Sequence, residues 1–193
     1  LIDPLNGRRW TRTDFTKWLC RQLVGKKRLL VGLDFGFGLP FEKGLGYLGG
    51  QAPQVRDIFQ LWSLIESESC ADMDFGCTAF VQSEMYGPLF WSAGLRPSSW
   101  VARKRQTEYA CAEQTGTHPD TLYKLIGSKQ VGKASLTGMR VLRSIRSVAR
   151  GNAAVWPFEN VKHSAIVEIY PTLFRKKASG TIAKLKTLSA LND

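Results

Sequence analysis

Residues 28–41, RLLVGLDFGFGLPF, constrain this chain more than any other stretch. Leu29, Leu30, Val31, Gly32 and Leu33 make a short apolar run that stops on Asp34. Gly36, Gly38 and Pro40 then alternate with Phe35, Phe37, Leu39 and Phe41. An apolar run of this length bounded by glycines predicts a strand buried on both faces, the type found inside parallel sheets. An acid at the carboxyl end of such a strand, before a Gly/Pro turn, stands where open α/β sheets place their ligand crevices. A carboxylate there has to be solvated, paired or bound to a metal, because burying it alone is costly.

The elements around that strand predict the same class. Phe15, Trp18, Leu19, Leu23 and Val24 recur at helical spacing after a capping residue, Thr13 or Asp14, and Gly25 closes the helix. Helix followed by strand is half of an α/β unit. Residues 41–54, with four glycines and a proline, read as a loop. Residues 54–68 read as a helix with Val55, Ile58, Phe59, Trp62 and Ile65 on its core face. Residues 70–100 are an irregular insertion or lid, since long stretches without periodicity are often functional. Further helix is expected over 101–113 and a short helix or strand over 119–127. Residues 132–150 form an amphipathic helix whose basic side carries Arg140, Arg143, Arg146 and Arg150. Strands follow at 153–158 and 164–170, the second containing Glu168, and residues 172–193 read as helices. The chain is expected to be one α/β domain over 1–193. It opens on Leu1 and closes on Asp193 straight after a helical stretch, so both ends read as cut.

At 193 residues the chain is long enough to bury roughly 70% of its unfolded surface, so it needs no covalent staples. No run approaches the roughly 18 apolar residues of a membrane span. Four cysteines without C-x-x-C spacing, far from both His118 and His163, argue against zinc and for reduced thiols in the cytoplasm. The formal net charge of +11 suits a polyanionic partner such as nucleic acid, or simply a basic surface.

Three kinds of chemistry compete. Residues 127–135, GSKQVGKAS, come close to the phosphate-binding loop G-x-x-x-x-G-K-[ST], with Ala134 where the hydroxyl belongs and Ser135 one place late. Gly132 and Lys133 opening a helix still favour an anion. Lys133, Ser135, Arg140 and Arg143 are therefore the phosphate-binding candidates. Nucleophilic triads are poor, since the serines lack a G-x-S-x-G elbow. That leaves Asp34 and Glu168, two acids on sheet strands. Side by side they would hold Mg²⁺ or Mn²⁺ and serve phosphodiester hydrolysis. The competing readings are a turn-capping Asp34 and a salt-bridged Glu168.

Four segments, LLVGLDFGFGLPF, VGKASLTGMRVLRSIR, AVWPFE and IVEIYPTLF, together resemble a family of uncharacterised bacterial proteins described as predicted nucleases with a ribonuclease H-like fold. The resemblance spans residues 29–174. It implies a mixed sheet flanked by helices and a metal-dependent nuclease. It matches D-x-x-x-G-x-P to Asp34, Gly38 and Pro40, and E-x-[YH]-P to Glu168, Tyr170 and Pro171. The family pattern also has an earlier strand bearing an Asp and a terminal helix with further acids, which this chain lacks or only approaches at Asp193. The alternatives are a non-catalytic nucleic-acid or nucleotide binder of the same fold, and a small-molecule enzyme of the wider actin-like class using Gly36 and Gly38 near a phosphate.

Overall fold

The computed structural model describes residues 7, 9–25, 27–127 and 131–171. The helices expected over 172–193, and Gln130 with its two preceding neighbours in the phosphate-loop-like segment, lie outside the described residues. The first helix, α1 (Arg12–Val24), starts two or three residues earlier than expected, because Thr11 and not Thr13 or Asp14 is the cap, accepting from the Asp14 N–H at 3.0 Å. Gly25 ends it as expected. Strand β1 (Leu30–Leu33) follows, and then a two-residue hairpin, β2 (Phe41–Glu42) and β3 (Gly46–Tyr47), inside the stretch read as loop. Helix α2 (Ile58–Glu68) is shorter than its apolar pattern, since Asp57 caps it by accepting from the Gln60 N–H at 2.8 Å.

Residues 70–100 are irregular as expected, with 3₁₀ turns at Met73–Phe75 and Gly87–Leu89 around the short helix α3 (Thr78–Gln82). Helix α4 (Gln106–Thr115) comes next. Residues 119–127 form neither helix nor strand, apart from one bridge between Lys124 and Trp91. Helix α5 (Gly132–Val148) and strands β4 (Ala153–Trp156) and β5 (Ser164–Glu168) complete the described elements. The chain is α/β, and no described helix is long and apolar enough to cross a membrane.

The main sheet is parallel, with order β1-β5-β4. This corrects one expectation. Strand β1 is an edge of the described sheet rather than a strand buried on both faces, and Leu30 is 77% exposed. Its inner face fits the prediction better: Val31 and Leu33 pack against the core. The other face is thin, with the Ile169 side chain lying over Gly32, where a Cβ would come within 2.9 Å of it.

The described helices pack around α5, which touches α1, α2 and β4. Leu136, Met139, Leu142 and Ile145 line the inner stripe of α5 and are all but fully buried. Each such side chain contributes about 1.5–3 kcal/mol. Trp62 of α2 anchors the layer beneath, its Nε1 donating to the Phe37 carbonyl at 2.8 Å. Neighbouring parallel strands usually need a crossover of about a dozen residues or more. Here β4 returns to β5 through residues 157–163 alone. Glu159 stabilises that return by accepting from the Val155 N–H at 3.0 Å and from Arg146 at 2.7 Å.

Candidate functional site

Parallel register brings the two predicted acids to the same end of the sheet. Leu33, the last residue of β1, pairs with Glu168, the last residue of β5. Asp34 is therefore one residue past its neighbour's acid, at a bend, and is exposed. The ladder extends one step further through the Ile169 N–H, which donates to the Leu33 carbonyl at 3.0 Å.

The turn after Asp34 is held from three sides. The Phe35 ring lies against Gly138 of α5, where a Cβ would come within 2.3–2.5 Å of it. The Gly36 N–H donates to Ser135 Oγ and the Phe37 N–H to Glu168 Oε2, both at 2.9 Å. Gly138→Ala is expected to displace Phe35 and cost about 1–3 kcal/mol by overpacking. A lower urea midpoint at unchanged m-value checks it.

Glu168 is a salt-bridged carboxylate. Arg105 grips it bidentately, Nη1 donating to Oε2 at 2.9 Å and Nη2 to Oε1 at 2.7 Å. The same guanidinium donates through Nε to Glu108 Oε1 at 2.6 Å, and Glu108 Oε2 also accepts the Arg105 backbone N–H. Glu108 is 6% exposed. Burial works against the charge on Arg105, but the hydrogen bonds and charges of Glu168 and Glu108 outweigh it and raise the guanidinium pKa further. Sequence reasoning missed Arg105 and Glu108. Their one legible signal is a glutamate at the third position of a helix, poised to reach back to the residue before it.

The four phosphate-binding candidates do not converge. Lys133 is exposed in the first turn of α5 and has no ion-pair partner among the described residues. Ser135 is fully buried, donating to the Val131 carbonyl at 2.9 Å while accepting from Gly36, so its hydroxyl fastens the helix to the turn after Asp34. Arg140 sits roughly 10 Å further along the helix than Lys133, at about 1.5 Å per residue. It is 4% exposed. It donates to Glu66 at 2.7 and 3.2 Å, to the Asp72 carbonyl at 3.4 Å and to the Gly76 carbonyl. Its guanidinium braces α5 against α2 and the turn at Met73–Phe75, and nothing of it is left to meet a phosphate. Arg143 is exposed, its Nε 3.5 Å from Ser63 Oγ.

The remaining candidates are quiet. His118 is exposed, and His163 Nδ1 lies 3.1 Å from Ser164 Oγ. The cysteines are free thiols, and burial pushes Cys77 up to about 11, which keeps it protonated and unreactive. No group of three or more His, Cys, Asp or Glu among the described residues could hold a metal ion. A closed all-protein cage therefore has no donors here. A more open site does: Asp34 has no hydrogen-bond or ion-pair partner among the described residues, and Glu168 Oε1 accepts only one bond. Carboxylate oxygens are donors of the type Mg²⁺ takes, often one or two with several waters kept. No family model, curated protein or solved structure matches this chain.

Proposed function

We propose that this chain is a metal-dependent phosphodiester hydrolase acting on nucleic acid, built on a ribonuclease H-like sheet. The observation carrying this reading is the register that ends β1 and β5 together, with Asp34 and Glu168 at one sheet end. Asp34 and the open side of Glu168 Oε1 would hold Mg²⁺ or Mn²⁺, which when bound lowers the pKa of a coordinated water and neutralises charge on a phosphodiester.

The chain's own residues set the stage for that chemistry. Arg105 holds the Glu168 carboxylate ionised and fixed in one orientation, and the Phe37 N–H fixes it from the other side. Ser135 and Phe35 hold the bend that presents Asp34 to solvent. Asp34→Asn keeps the size and removes the charge of the site acid that, unlike Glu168, has no structural partner among the described residues. It is expected to abolish Mg²⁺-dependent cleavage of single- and double-stranded DNA and RNA while leaving the thermal midpoint unchanged. Cleavage equal to that of the unaltered chain removes Asp34 from the reaction.

A second reading, a non-catalytic binder of nucleic acid, is favoured by the Arg105–Glu168 pair, because a carboxylate already neutralised by a guanidinium draws a cation weakly. Binding that survives EDTA and falls steeply with salt, without cleavage in any divalent ion, selects it.

A further inference from the structure

A group of cations that form no ion pair among the described residues lies at the opposite end of the sheet from the two acids. Strand starts and helix ends meet there through a short chain of backbone contacts. The Leu29 N–H donates to Ser164 Oγ at 3.1 Å, and the Ala165 N–H to the Leu29 carbonyl at 2.9 Å. The Ser164 N–H donates to the Asn152 carbonyl at 3.0 Å, and the Asn152 N–H to the Ala149 carbonyl at 2.9 Å. Lys27 and Arg28 precede Leu29, Arg150 follows Ala149, and Lys162 stands two residues before Ser164. All four are exposed. Lys17 and Arg21 extend the patch along α1, in a groove shared with Ser144 and Val148 of α5.

None of these six side chains takes part in an ion pair among the described residues. The sequence around them is empty of acids: there is no Asp or Glu in 15–33, 141–158 or 160–167. The acid that interrupts this pattern, Glu159, is taken by Arg146. The buried and paired arginines, Arg103, Arg105 and Arg140, lie elsewhere. A group of unpaired cations on acid-free segments thus stands at the amino end of the strands.

We infer that this amino-end surface, formed by Lys17, Arg21, Lys27, Arg28, Arg150 and Lys162, docks the phosphate backbone of nucleic acid. The inference rests on the phosphodiester reading above and moves the polyanion contact away from the Lys133–Arg143 helix. A single phosphate is too small an occupant. The outer strands β1 and β4 flank β5, so the charges span about 10 Å across the sheet at roughly 4.8 Å per strand, and further along α1. A duplex, with one charge per about 1.7 Å of its axis, matches an array of that width. A membrane suits it less well. The exposed large apolar side chains at this end are Val24, Leu30, Val148 and Val161, with no Trp or Phe among them, whereas interfacial anchors combine Trp and Phe with Leu.

The test is fluorescence anisotropy in EDTA with a labelled duplex of mixed sequence, comparing the unaltered chain, K27A/R28A/R150A/K162A and K133A/R143A. The fourfold variant is expected to bind roughly tenfold or more weakly at 0.1 M salt, and to lose about 0.9 from the salt slope for each phosphate contact removed. The K133A/R143A variant is expected to bind as the unaltered chain does. All six positions are exposed, so equal thermal midpoints show that folding is not the cause. Equal affinity and slope for the fourfold variant overturn the inference, as does tighter, variant-sensitive binding to phosphatidylserine vesicles than to the duplex. Because EDTA removes metal chemistry, the nuclease reading can fail alone: no cleavage in Mg²⁺ with binding lost in the fourfold variant leaves the surface standing. Cleavage with binding unaffected leaves the hydrolase and removes the surface.

Discussion

Arg105→Met is expected to be among the most damaging single substitutions in this protein, costing about 3–5 kcal/mol. The cost follows from what would be left behind. Glu168 and Glu108 would lose their shared counter-charge while staying 31% and 6% exposed. A buried carboxylate without a partner must pay desolvation or take up a proton. Glu108 also closes the start of α4 by accepting the Arg105 N–H, so repulsion between the two acids would loosen that turn as well. Arg105→Lys keeps the charge but cannot reproduce the forked geometry, and should fall between the two. The double variant Arg105→Met with Glu168→Gln should recover part of the loss, since it removes one stranded charge. Urea unfolding of all four proteins measures this directly. A loss below about 1 kcal/mol for Arg105→Met would mean that the cluster behaves like a solvent-screened surface pair.

This cluster also marks the boundary of what the sequence made legible. Asp34 was readable because it ends a short apolar run, and a strand's end is where a parallel sheet exposes acids; Glu168 was read inside its strand, which in fact stops on it. Their arrival at the same sheet end needed only that both strands run parallel. Arg105 was not readable, because the residue that neutralises Glu168 comes from a segment 63 positions away in the chain. Periodicity carries no information about such a contact. The edge position of β1 was invisible for a related reason. An apolar run reports that a strand prefers burial, not which neighbours supply it.

The basic helix is the more instructive failure. Counting by threes and fours puts Arg140 on one side with Arg143, Arg146 and Arg150, and that side looks solvent-facing. In the fold, residues 72–76 lie against this part of α5, and they belong to the stretch whose irregular sequence gave no sign of what it covers. Arg140 meets backbone carbonyls and Glu66 there, while Arg143 stays exposed. Ser135 was singled out for the right position and the wrong work: it does adjoin the turn after Asp34, but as an internal fastener.

Arg140→Met should consequently act on stability rather than on nucleic-acid binding. It would leave the Asp72 and Gly76 carbonyls without their donor, and Glu66 without its cation. Glu66 remains 27% exposed, so the loss should lie toward the lower end of the roughly 3–5 kcal/mol for breaking a buried pair. The pair also writes a pH signature. The hydrogen bond from Arg140 holds the Glu66 carboxyl below its ordinary value of 4.5, against the opposing effect of burial. A folded-state pKa below the unfolded one gives stability that is full above about pH 4.5 and is lost as pH falls through the folded value. Asp74 contributes in the same direction: its own burial is outweighed by the Thr13 N–H, aided by Arg12. The measurement is therefore a difference. Unfolding free energies followed from about pH 6 downward should converge for the unaltered chain and Arg140→Met, because acid removes from the first what the substitution has already removed from the second. Curves that stay parallel through pH 4.5 would show that Glu66 titrates without regard to Arg140, and that the cost of the substitution comes from the unsatisfied carbonyls alone.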